Sequence, residues 1–465
     1  MNISNFTSGQ RRVVVLMAIA VIVVLAMLIG FVVTSLQGWE SLSPVATPSL
    51  PSLSAPLTSL PPPSPSPAPV PTSVFNEDGI WSQVQAARLF DQIAHQVETM
   101  RGLSPRAEVP LSFLDQGEMA TLLRRLYARR DLEAPLLPYV ELGLLPHVSV
   151  SVRPHQAAGI YIPDQEQLYV TTGRQENSAD DQALLAHAYV HALQDQHFDL
   201  GAMDDRAPTT DAALAVRALV EGDATLSTAL YRYGDLDAAD WLHLLELISQ
   251  AEQPSYGVDL EDTAAWARIQ RFPYWEGRRF VYTLFQASGW EAVNSAYINP
   301  PRSTEQVLHP DRYLEGQDGP TQVVVPDVEA ILDEDWTVLV QDTLGEFVVG
   351  LYLETLLPEE AAWQAADGWE GDTFVVWEHE DGDRLLVWRT IWDSTVEATE
   401  FESALAAFVL QRYLPAWPID PPLGLAGRWW ETDVGAVYVS RVARHVVFVH
   451  APDVDLLADV VKILP

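Results

Sequence analysis

The chain has 465 residues, 48% of them hydrophobic, with a formal net charge of -37 and no cysteine. That length exceeds one typical domain and leaves enough apolar residues for a substantial core. So acidic a chain argues against nucleic-acid binding, and the missing cysteines remove disulfides, thiol nucleophiles and cysteine-ligated zinc. Lys462 is the only lysine and precedes Ile463, so no GxxxxGK[ST] phosphate loop exists; there is no GxSxG elbow either.

Residues 1–12 form a short tail. Residues 13–34, VVVLMAIAVIVVLAMLIGFVVT, carry no charge. Twenty-two helical residues rise about 33 Å, enough for a bilayer core of about 30 Å. Arg11 and Arg12 stand before this run, and no lysine or arginine follows until Arg88. The positive-inside rule therefore predicts a single-pass cell-membrane anchor, with a cytoplasmic N-terminus and the remainder extracytoplasmic. A cleaved signal peptide is the alternative. Residues 35–74 are rich in proline and serine and predict an extended stalk, at most roughly 120 Å long.

Globular sequence is expected from 75 onward, as a mainly helical domain over 75–320 and a smaller antiparallel α+β domain over 321–465. Helical spacing of apolar residues predicts helices over 79–103 and 119–130. Residues 159–173, GIYIPDQEQLYVTTG, read as a β-hairpin, followed by helices over 180–196 and 211–232. One or two helices are expected over 274–297, then a proline-broken loop over 299–313. DEDWTVLVQDTLGEFVVGLYLETL, from Asp333, reads as helical. Strand–turn–strand follows over 372–392, a helix over 397–413, further strands over 427–452 and a last helix over 453–464. Trp377, Trp388 and Trp392 are expected in the core.

His187 and His191, in HAYVH, lie four residues apart on the predicted motif helix. Such a pair shares one helix face and can converge on one metal ion. Glu221, in VEGDA on the following helix, is the third candidate ligand, and zinc accepts such a nitrogen and oxygen set. Asp223 faces another direction and is a candidate supporting residue. Asp195, one turn past His191, is a candidate to orient an imidazole. The alternative is two core histidines with no metal. His197 is expected to pack or cap.

The stretch LLAHAYVHALQDQHFDL resembles the motif helix of bacterial HExxH metallopeptidase-like proteins of the glutamate-zincin type, and ALVEGDA resembles their third-ligand helix. The hairpin before the motif resembles their active-site edge strand; PRSTEQVLHPDRY and GWEGDTFVVWE also resemble recurring pieces. The likeness covers most of residues 75–400. It implies a zincin-like fold for 75–320, zinc on His187, His191 and Glu221, and a remote His or Tyr near the reacting group. His309 and Tyr274 are candidates for that last part, with Tyr161 and Tyr169 behind them. The departure is Ala188, at the position of the general-base glutamate. That base takes a proton from the attacking water and passes it to the leaving amine, help worth about 10²–10⁴-fold. The expectation is a pseudopeptidase that binds peptide or protein. The alternatives are an active zinc hydrolase with a displaced base such as Glu276, and a metal-free structural ectodomain.

Overall fold

A computed structural model describes residues 83–129, 134–146, 151–152, 159–172, 179–234, 258–259, 263–316 and 319–464. These belong to one compact unit, Ser66–Pro465. The expected tail, membrane span and stalk lie outside the described residues. Among those described, no helix is long and apolar enough to cross a membrane.

The first part is helical around a small sheet. Helix α1 (Gln83–Arg101) precedes β1 (Leu111–Leu114), α2 (Gln116–Arg129), α3 (Leu137–Glu141) and a two-residue β2 (Ser151–Val152). The hairpin follows as β3 (Gly159–Ile162) and β4 (Gln167–Thr171), joined by a turn in which Glu166 takes a left-handed φ of 49°. β4 pairs antiparallel with β3 and parallel with β1, so the order is β1–β4–β3 and β3 is an outer strand. The β1 strand was not expected, because four residues carry too little periodicity to separate strand from loop.

Helix α4 (Ala179–Phe198) carries the histidine pair. Its apolar residues, among them Leu185, Val190 and Leu193, are buried on nearly every side, as a central helix requires. It packs with α1 and the hairpin in one core cluster containing Phe90, Ile93, Leu168, Val170 and Tyr189. Short α5 (Leu200–Asp204) leads to α6 (Thr210–Tyr233), which Thr209 caps by accepting from the Ala212 N–H. After β5 (Val258–Asp259) comes α7 (Ala264–Ile298), interrupted at Ser288 and Gly289 by non-helical backbone. The expected loop over 299–313 instead contains α8 (Thr304–Leu308) and α9 (Pro310–Glu315). Ser303 caps the first, and Pro310 opens the second at a position where the missing N–H costs nothing.

The second part corrects one expectation. Residues read as a single helix from Asp333 are a strand, β6 (Trp336–Asp342), followed by α10 (Gly345–Glu354). The break falls at Gly345, whose φ of 79° ordinary residues rarely adopt, and Asp372 accepts from the Leu344 and Gly345 N–H groups at 3.0 Å each. Then come α11 (Glu359–Ala366), β7 (Trp369–His379), β8 (Arg384–Trp392), α12 (Thr395–Arg412), β9 (Ala416–Ile419), β10 (Arg428–Thr432), β11 (Gly435–Val442), β12 (His445–Ala451) and α13 (Val454–Ile463). The strands form a seven-stranded sheet in the order β6–β7–β8–β12–β11–β10–β9, antiparallel throughout. The fold is mixed α+β.

Alternation along these strands buries both faces. Val375, Trp377, Val387 and Val449 point to the face that α13 covers. Phe374, Val376, Trp388 and Phe448 point to the opposite face. There Trp388 meets Tyr352 of α10 and Phe401 of α12 edge-on, at 5.9 and 5.6 Å. That cluster continues without a break into α6 and α7, through Phe272 and Phe347 at 4.2 Å. Residues on both sides of position 320 therefore share one core. Trp388 and Trp392 are in it, while Trp377 is buried on the other face, in the cluster under α13.

Candidate metal centre

Three ligand-type atoms meet between α4 and α6. His187 Nε2 lies 3.1 Å from His191 Nε2 and 3.2 Å from Glu221 Oε2, while His191 Nε2 lies 3.4 Å from the same oxygen. Their side chains keep 14, 18 and 15% of their exposure, so the group opens to solvent on one side. The imidazole rings stand nearly perpendicular, at 85°. The third member depends on an unusually close crossing of α6 with α7. A Cβ on Gly222 would sit 2.2 Å from the Gly277 carbonyl oxygen, so only glycine lets the helices approach there.

Charges respond to this crowding. Burial holds the His187 imidazole below its ordinary value. Burial acts the same way on His191, but the Glu221 carboxylate reverses it and the net shift is upward. Burial would raise Glu221, yet the two imidazoles hold it well below the usual carboxylate range. A cluster of this kind stabilises one added positive charge.

The residues present fit a zinc ion. Two imidazole nitrogens and one carboxylate oxygen are a complete protein set for a zinc site with an open position. His187, His191 and Glu221 also lie mutually within 4.8 Å through one atom each. Among the described residues two further groups share that property, His309 with Glu346 and Asp367, and Asp333 with Asp335 and His379.

Around the centre, the sequence-derived candidates divide. Asp223 is fully buried and supports the site from behind. It accepts from Arg101 at 2.8 and 3.1 Å, from Tyr297 at 2.8 Å and from Gln194 at 3.0 Å. Asp195, expected to orient an imidazole, does not. It accepts from the Tyr161 hydroxyl at 2.6 Å and from the Leu200 N–H at 3.1 Å, tying the hairpin to the end of α4. The residue that meets the imidazole is Gln194, whose Oε1 lies 2.8 Å from His191 Nδ1. Spacing alone admitted both, since i+3 and i+4 lie on the same face. Burial of Gln194 against α6 decides between them.

Tyr274 belongs to the neighbourhood, its ring centroid 6.5 Å from that of His187. His309 sits elsewhere, with Nε2 3.0 and 3.1 Å from the two Glu346 oxygens, and no described contact joins it to the histidine pair. Tyr169 turns to Gln165 at 2.5 Å. Glu276 lies 3.4 Å from the Arg279 guanidinium on its own helix, and its Oε2 is buried without a hydrogen-bond partner. His197 holds the Ser104 carbonyl at 2.8 Å, as a packing residue does.

Ala188 is buried beneath the hairpin. A Cβ built on Gly159 of β3 would meet the Ala188 Cβ at 4.0 Å and the Leu185 Cδ2 at 2.8 Å. The position beside the first histidine thus points at the outer strand.

Residues 337–461 match a family model described as a domain of unknown function (DUF8575). No curated protein and no solved structure matches the chain.

Proposed function

We propose that this chain is a membrane-anchored, extracytoplasmic metallopeptidase-like protein of the glutamate-zincin type. It holds zinc on His187, His191 and Glu221 and binds a peptide or protein segment that it does not efficiently cleave. The observation that carries this reading is the convergence of those three ligand atoms within 3.4 Å of one another. The hairpin, the motif helix and the glutamate helix follow in the order the resemblance implies.

Zinc, when bound, would supply Lewis acidity towards a carbonyl oxygen. The chain's own residues supply the rest. The outer strand β3 passes over Ala188 and offers backbone groups along which an extended segment can align. Tyr274 brings a phenol beside His187. What position 188 lacks is a proton carrier. Alanine at 188 neither accepts a proton from water nor returns one to a leaving amine, a loss of about 10²–10⁴-fold in rate. Glu276, 3.4 Å from Arg279 and with a buried Oε2 that makes no hydrogen bond, is the residue that the alternative reading, an active hydrolase with a displaced base, would use.

The test is calorimetric titration of the metal-stripped full-length chain in detergent with zinc, repeated for His191→Ala. One zinc per chain, lost in the variant, is expected. Absence of stoichiometric zinc, or binding indifferent to His191→Ala, would overturn the reading.

A further inference from the structure

We propose that Gln194 is a positioning residue that fixes His191 in the tautomer protonated on Nδ1, with Asp223 fixing Gln194 in turn. The inference deepens the metal-site reading above and rests on it for its consequence, though not for its geometry.

The argument is a count of donors and acceptors. Gln194 is fully buried. Its Nε2 lies 3.0 Å from the Val220 carbonyl and 3.0 Å from Asp223 Oδ2, and both partners only accept. Both amide protons are thereby used. The alternative orientation would set the amide oxygen against a carbonyl and a carboxylate, so it is excluded. Gln194 Oε1 is then the atom 2.8 Å from His191 Nδ1, and an amide oxygen can only accept. His191 Nδ1 must carry the proton.

Asp223 is the fixed point of this chain of contacts. It is anchored by Arg101, the last residue of α1, by Tyr297 of α7 and by Ser227 at 3.3 Å. Arg101 also donates to Asn294 at 2.8 Å and lies 4.2 Å over the Trp290 ring. Arg101 of α1 and Tyr297 of α7 thus both donate to Oδ2, the oxygen that Gln194 meets, and that oxygen determines which nitrogen of His191 is free.

The consequence is at the centre. With Nδ1 protonated, the neutral ring presents its Nε2 lone pair towards His187 Nε2 and Glu221 Oε2. His187 is arranged alike, since its Nδ1 faces the Thr228 hydroxyl oxygen at 3.4 Å, whose proton goes to the Ala224 carbonyl at 2.7 Å. The ligand atoms are aimed before a metal arrives. Partners of this kind typically contribute 10–100-fold in metal affinity.

The test reads tautomers directly. Side-chain nitrogen–proton correlation spectra of the metal-free full-length chain, at a pH where the ring is neutral, should show His191 protonated on Nδ1. Gln194→Met removes the acceptor, and His191 should move towards the Nε2-protonated form common in water. Zinc affinity should fall about 10–100-fold. Thr228→Val, which alters a partner of His187 alone, should leave His191 unchanged. An Nε2-protonated His191 in the wild type overturns the proposal, and that spectrum needs no variant to fold. So does an unchanged tautomer in folded Gln194→Met. A wild type with the expected tautomer but no zinc binding would leave the positioning role standing and remove the metal-site reading.

Discussion

Gly222 and Gly277 meet backbone to backbone where α6 crosses α7, and a Cβ added at Gly277 would lie 2.1 Å from the Ala218 carbonyl oxygen. The contact sits one residue from Glu221 and three from Tyr274. Gly277→Ala is therefore expected to force the helices apart, costing about 1–3 kcal/mol or more, as overpacking against backbone does. The midpoint of urea unfolding should fall. Zinc affinity should fall with it, because Glu221 moves with its helix. A variant as stable as the wild type would mean the helices separate freely.

Zinc should stabilise the folded chain through its ligands alone. At free zinc about 100-fold above the dissociation constant, the gain is about 2.7 kcal/mol. Thermal unfolding with and without zinc measures it. His187→Ala, His191→Ala and Glu221→Gln should each abolish most of that gain. Equal stabilisation of the three variants would place the ion elsewhere.

Ala188→Glu should introduce zinc-dependent peptide hydrolysis, up to about 10²–10⁴-fold above the wild type. Glutamate is a good helix former, so α4 tolerates it. The side chain must fit between α4 and Gly159 of β3, which it approaches from below. A peptide-library cleavage assay reads the outcome. Hydrolysis by the wild type that the substitution leaves unchanged would overturn the loss of function; zinc-loaded variants without activity would mark a cleft suited to binding alone.

Far from the centre, Asp211 gives the fold a dependence on pH. It is buried, accepts from the Thr304 N–H and hydroxyl at 2.7 and 2.6 Å, and leaves Oδ2 without a hydrogen-bond partner. Burial pushes its carboxyl up to about 8, with the Thr304 hydrogen bonds opposing and Asp372 and Asp342 adding. Between the ordinary value of 3.8 and about 8, the folded chain keeps a proton that the unfolded chain releases. This contribution to stability is therefore full below the lower value and declines as pH rises through the window, by at most about 1.4 kcal/mol per unit. Asp211→Asn keeps an acceptor for Thr304 and removes the titration. Compared with the wild type, it should be relatively more stable at pH 8 than at pH 5 in urea unfolding. Equal differences at both would refute the assignment.

The ligand atoms were legible because helical geometry is periodic: His187 and His191 share a face whatever surrounds them, and Glu221 follows on a helix with clear boundaries. Gln194 was not, because its role depends on what α6 places behind it, and an amide carries no charge to draw notice. Asp195 had the right spacing and the wrong neighbour, since Tyr161 reaches it first. The run from Trp336 misled for a different reason. An apolar strand leading directly into an apolar helix reads as one element, and only Gly345, with its positive φ, marks the seam. The short helices α8 and α9 were hidden by prolines that begin helices as readily as they end them.

Phe347, in the first turn of α10, lies inside the segment that matches a family model, while the ring it packs on, Phe272, lies outside. The recurring segment therefore carries on its surface a debt to its neighbours. A chain that inherits residues equivalent to 337–461 without the preceding helices must supply another apolar partner at that point, or replace the phenylalanine. Cut away from the preceding helices, residues 337–461 of this chain would present to water the face of Phe347 that now rests on Phe272.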